Sequence, residues 1–207
     1  MTVQTWWRGV LLDARTADMM DQVAALSGPY IQPSQGSYAN GGVAASAGTH
    51  DGGGAIDLMN LTPAQYDDLV VVMRQVGFAA WHRTPAQSDW PHHVHGIAVQ
   101  PNGEWDQGVL SDGAASQVVD YYQGRNGLAS GAPDDATRAY VGTTWETYQE
   151  ENMPLTQADL DNIADAVLNK LKWKYKGQSD EAESLREHVT ELRRDVTTIR
   201  DRQKEDM

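Results

Sequence analysis

The chain has 207 residues and no cysteine, so no disulfide framework exists and any metal must be held by His, Asp or Glu. Hydrophobic residues make up 40% and charged residues 22%, which supplies a core and excludes wholesale disorder or a low-complexity fibre. The net charge of −13 argues against duplex nucleic acid as a partner.

The charge is unevenly placed. Residues 1–154 carry six Arg, no Lys and 17 acids, whereas residues 155–207 carry ten basic and 12 acidic residues. This predicts two parts with different jobs. The N-terminus has a short apolar stretch but no basic region before it and no small-residue cleavage site, so no signal peptide is expected. No apolar run approaches the roughly 18 residues that span a bilayer, so no membrane partner is expected either.

Val10, Leu11 and Leu12 lead into a stretch, Ala17 to Leu26, whose Met19, Met20, Val23, Ala24 and Leu26 suit a helix with one apolar face. Gly28-Pro29 ends it. The segment from Pro33 to Gly54 is too rich in Gly and Ser for a long helix, but its sequel, Ala55 to Leu58, reads as a short buried strand. Thr62 can cap a helix that has Pro63 in its first turn and Tyr66, Leu69, Val70, Met73 and Val76 on its apolar face. After Gly77, Phe78 to His82 reads as a strand, and His93 to Gln100 as another. Ser111 to Tyr122 reads as a helix with Ala115, Val118, Val119 and Tyr122 on one side. Residues 126–154 read as a linker. Beyond Pro154, Leu160, Ile163, Val167, Leu168 and Leu171 form one apolar helical face. Ala182, Leu185, Val189, Leu192, Val196 and Ile199 then follow a three-and-four spacing over three heptads, the pattern of a coiled coil. The expected organisation is a globular domain at 1–125, a linker at 126–154, and a helical segment at 155–207 that either drives homo-oligomerisation, as a dimer or trimer, or attaches the chain to another component.

Five of the six histidines lie between His50 and His95; the sixth is His188. The first cluster is Gly48-Thr49-His50-Asp51-Gly52-Gly53-Gly54-Ala55-Ile56-Asp57. A neutral imidazole and a carboxylate both suit zinc, and the glycines let the chain turn so that both side chains aim at one point. If Ala55 to Leu58 is a strand, Ile56 and Leu58 enter the core and Asp57 faces the other way. The second cluster is Asp89-Trp90-Pro91-His92-His93-Val94-His95. In a strand His93 and His95 share a face, so one can bind metal while the other acts on substrate. Trp81 is expected in the core, His82 at the rim of the cleft or in solvent, and Arg83 at the surface or holding a substrate carboxylate. Trp6, Trp7, Trp90 and Trp105 fit core or interface use, with stacking on sugar or peptide as the alternative.

These residues resemble the D-alanyl-D-alanine carboxypeptidase family of zinc peptidases, whose fold is shared with the Hedgehog signalling domain. His50, Gly53, Ala55 and Asp57 match that family's S-x-H-x-x-G-x-A-x-D signature, with Gly48 where Ser is usual. His93-Val94-His95 after Trp90 resembles its second signature. The wording GTHDGGGAID, AAWHRTP and HHVHGIAV is also similar to proteins of actinobacteria and their phages. The resemblance covers residues 5–125. It implies an α+β fold, a small antiparallel sheet with flanking helices, and Zn2+ held by His50, Asp57 and His95. Three protein ligands leave a fourth position for water, whose pKa zinc lowers. The family places an acid three residues before the last ligand, where this chain has His92. Two arrangements restore a base. Either His92 or His93 serves, or the register shifts so that His92 is the ligand and Asp89 precedes it by three.

The expected function is a zinc-dependent peptidase acting on bacterial peptidoglycan stem peptides or cross-links, phage-encoded, without a signal peptide. It would reside in the virion, or in the host cytoplasm with release to the wall. The alternative is a phage structural protein of tail, fibre or capsid decoration, whose peptidase-like domain binds the wall or other virion proteins. A metal-free glycan-binding domain is a third reading.

Overall fold

A computed structural model of the chain describes residues 3–28, 31–100, 109–134 and 138–152, together with the isolated positions Asp161, Asp165 and Thr190. The chain divides into two units, residues 1–151 and 152–207. Within the second, helical backbone is described at Asn152, Asp161, Asp165 and Thr190. The heptads, His188 and Trp105 lie outside the described residues. Among the described residues no helix is long and apolar enough to cross a membrane.

The first unit is α+β, as expected. It begins with a hairpin of β1 (Gln4–Trp7) and β2 (Val10–Asp13), paired antiparallel from Gln4 opposite Asp13 to Trp7 opposite Val10. Arg8 and Gly9 both take positive φ, 46° and 92°, the two-residue turn whose twist suits a hairpin. The sequence reading missed this hairpin. Asp13 then caps α1 (Ala14–Ser27), accepting the Thr16 N–H at 2.9 Å. Met19, Met20 and Val23 of α1 are fully buried.

The main sheet has the order β3-β4-β6-β5 and is antiparallel throughout, with β3 at Gln32–Gln35, β4 at Ala55–Met59, β5 at Phe78–Arg83 and β6 at His93–Ala98. Between β4 and β5 runs α2 (Pro63–Val76). Thr62 and Gln65 form a reciprocal capping box at its start, and Gly77 in the left-handed region closes its end. The pleat sorts the two faces. Ile56, Leu58, Phe78, Ala80, Val94 and Ala98 join α1 and α2 in the larger core. Ala55, Ala79, Trp81, Ile97 and Val99 pack with Ala114, Val118 and Tyr121 of α3 (Asp112–Tyr122) in the smaller one. Asp57 and His95 lie on this second face, where Gln117 of α3 reaches His95.

Two expectations need correction. Helix α3 buries Ala114, Val118 and Tyr121, while Val119 and Tyr122, expected on the buried side, are 39% exposed. The helix is turned so that Gln117 reaches the sheet. The segment expected as a linker is folded onto the domain over its described residues. Trp145 and Tyr148 of α4 (Trp145–Asn152) enter the larger core. Asp134 accepts an ion pair from Arg74 at 2.7 Å with both side chains fully buried, and the Asn126 carbonyl accepts from Arg83 at 2.6 Å. The Gly- and Asp-rich composition marks turns here, but two buried aromatics and a charge pair hold them in place.

Candidate metal centre

Two strands and one loop supply the site. Asp57 of β4 and His95 of β6 are direct partners in the antiparallel register and share a face. His50 comes from the loop before β4. That loop is glycine-rich because it is packed backbone against backbone. A Cβ on Gly52 would come within 2.5 Å of the Val109 carbonyl oxygen, and Gly54 sits at φ 80°. Asp13 fixes the end of the loop, accepting the Gly54 N–H at 2.8 Å while it caps α1.

The three side chains converge. His95 Nδ1 lies 2.7 Å from Asp57 Oδ1. His50 Nε2 lies 3.3 Å from both Asp57 Oδ1 and His95 Nδ1. His50 and His95 are 1% and 5% exposed, so an unpaired polar atom on either ring is costly. Each outward ring nitrogen is already committed. The Nδ1–H of His50 donates to the Gly36 carbonyl at 2.8 Å, and the Nε2–H of His95 donates to Gln117 Oε1 at 2.8 Å. These bonds set the tautomers. Two lone pairs and a carboxylate then face one another in a buried space, and three acceptors this close require a proton or a cation between them. The group can hold a metal ion. Both outer hydrogen bonds are of the kind that orients metal-ligating histidines.

The electrostatics follow the same geometry. Burial works against ionised Asp57, but the charge of His95, the hydrogen bonds from both histidines and the charge of His50 outweigh it and hold the carboxyl far below its usual range. Burial pulls His50 down, but the hydrogen bond and charge of Asp57, the Gly36 bond and the Asp51 charge outweigh it, so its pKa is raised. Burial dominates at His95 and brings it to about 4 against the opposing pull of Asp57.

The centre forms the floor of a cleft of about 270 Å³. Ser34, Gln35, Ser46 and Thr49 line one side; Arg83, Trp90, Pro91 and His93 line the other. His93 shares the cleft with His95, as the strand reading expected, and its Nδ1–H donates to the Pro91 carbonyl at 2.8 Å. His92 does not line the cleft: its Nδ1 lies 2.9 Å from His82 Nε2. Asp89 is exposed and does not line it either. The shifted register with His92 as ligand and Asp89 as base therefore has no geometric support, and His92 is removed as a base at this centre. Trp81 is buried as expected, stacked on His95 at a 17° interplanar angle, with Nε1–H donating to the Arg125 carbonyl. Arg83 is buried rather than at the surface. Trp7 is core, Trp6 is 73% exposed, and Trp90 walls the cleft. Gln117, Gly36 and Asp13 were not among the residues the sequence pointed to; of the three, only Asp13 carries a local signal, an acidic residue directly before a helix. Comparison with protein-family models, curated proteins and solved structures found no match.

Proposed function

We propose that the chain is a zinc-dependent peptidase of bacterial cell-wall stem peptides or cross-links, phage-encoded. The observation that carries this reading is the convergence of His50, Asp57 and His95, with both outer ring nitrogens pinned, at the floor of an open cleft. Two of the three separations, at 3.3 Å, fit the edge of a tetrahedron with metal–ligand bonds of about 2.05 Å, and the third, His95 Nδ1 to Asp57 Oδ1 at 2.7 Å, is the hydrogen-bond distance of the metal-free pair. Bound zinc supplies Lewis-acid polarisation of a carbonyl and activation of water. Around it the chain's own residues do the rest. His93 at the cleft wall takes the proton from the attacking water and returns it to the leaving amine. Arg83 offers a cation beside the metal centre for a substrate carboxylate, and Trp90 gives the peptide a flat wall.

A second reading has its own support. Among the described residues that line the cleft, Asp57 is the sole carboxylate, so the acid expected as base is absent. A virion component of tail, fibre or capsid decoration that grips the wall without cutting it fits this.

One experiment separates the two. Zinc-loaded protein is incubated with purified peptidoglycan, and soluble products are analysed by mass spectrometry. Release of stem-peptide fragments that stops with a chelator, resumes with zinc and falls roughly 100-fold or more in His93→Ala is the peptidase result. Retention on the wall with no fragments is the binding result, and absence of bound zinc overturns both.

A further inference from the structure

The opposite face of the sheet carries a second histidine pair. His82 lies opposite Val94 in the register and so faces α2, away from Asp57 and His95. Its Nδ1–H donates to Asp67 Oδ1 at 2.9 Å. That bond leaves a lone pair on His82 Nε2, aimed at His92 Nδ1 at 2.9 Å. Tyr66 holds both rings: it stacks on His82 with centroids 4.8 Å apart and on His92 at 6.1 Å, and its hydroxyl donates to the His92 carbonyl at 3.0 Å. A carboxylate behind an imidazole is the outer-shell partner of metal-ligating histidines, and here the other nitrogen of that imidazole faces a second ring.

We propose that His82 and His92 form a second divalent-cation site, suited to Cu2+ or Ni2+, with Asp67 as the positioning residue. The imidazole donor pair argues for these ions, and its spacing is compatible with them. Two ligands 2.9 Å apart, each about 2.0 Å from one ion, subtend about 90°. That is the angle between neighbours in a tetragonal or square-planar site, which Cu2+ and Ni2+ favour. Without an ion, the His92 Nδ1–H donates into the His82 lone pair. On binding, His92 releases that proton and takes one at Nε2, so no net proton is lost. Water completes the coordination, since the side chains of His82 and Asp67 are 14% and 74% exposed.

The test is a Cu2+ titration of the full chain preloaded with zinc, followed by calorimetry and electron paramagnetic resonance. The expected result is one equivalent of copper with hyperfine coupling to two imidazole nitrogens. It is lost in His82→Asn and in His92→Asn, and weakened roughly 10–100-fold in Asp67→Asn. Zinc content stays at its wild-type value in each variant. Asp67 is the control against misfolding, because its side chain is mostly in solvent. Copper uptake that survives in the His82→Asn, His92→Asn double variant belongs to another histidine and overturns the proposal, as does a one-nitrogen spectrum or no uptake. None of these outcomes bears on the peptidase reading, which depends on the other face.

Discussion

At the residue scale, the centre is decided by where protons already sit. Gly36 and Gln117 occupy the outer nitrogens of His50 and His95, so in the neutral rings the inner nitrogens carry the lone pairs that face Asp57. Replacing Gln117 with Ala frees the His95 tautomer, and zinc affinity falls roughly 10–100-fold with the fold intact; calorimetry and circular dichroism check this together. Removing a ligand by Asp57→Asn costs more than that in the same titration, since the neutral amide no longer balances the ion. The pH response follows from the raised pKa of His50. Metal needs His50 neutral, so affinity drops about tenfold per unit as pH falls below that value, which lies above 6.5. Zinc dissociation constants measured between pH 8 and pH 6 test the slope. In the metal-free domain the two histidines act oppositely. His95, lowered to about 4, withdraws stability as pH falls from 6.5 towards 4. His50, raised, contributes stability that is fully present below 6.5 and is lost as pH rises through its folded value.

At the element scale, the loop before β4 and the turn of α3 carry the site. Gly52 is packed against the Val109 carbonyl, so Gly52→Ala forces two backbones apart. A loss of about 1–3 kcal/mol in urea denaturation is expected, with weaker zinc binding because His50 moves with the loop. The motif G-G-G was legible as a turn, but the backbone it packs against was not, because Val109 is 57 residues away and nothing local announces the contact. Helix α3 teaches the same point. Apolar spacing allowed two phases one position apart, and the chosen one pointed Val119 and Tyr122 inward. Packing against Trp81 and Ile97 selects Ala114, Val118 and Tyr121 instead, which places Gln117 beside His95.

At the scale of the whole molecule, the domain ends later than composition suggests. A chain cut after residue 125 loses Trp145 and Tyr148 from the core and removes Asp134, the buried counter-charge of Arg74, leaving its guanidinium only neutral partners such as the Ala80 carbonyl. Breaking that pair alone, by Asp134→Ala, costs about 3–5 kcal/mol. The expected outcome is that residues 1–152 fold and take up metal in isolation and residues 1–125 do not, checked by thermal melts and metal content of the two fragments.

The sequence by itself determined the pieces that depend on short range. Alternation placed Ile56 and Leu58 in the core with Asp57 opposite, H-x-H put His93 and His95 on one face, and Thr62-Pro63 marked a helix start that the capping box realises. It also named His50, Asp57 and His95 together, through the resemblance their spacing carries. Tertiary structure alone decided what shares a volume without sharing a neighbourhood. It turned His92 towards His82 instead of the cleft, brought Gln117 to His95 across 22 positions, and closed the core with α4. The reason is physical. Periodicity reports which face of an element is apolar, but which group occupies each lone pair depends on what packs opposite, and that is fixed only when the layers meet.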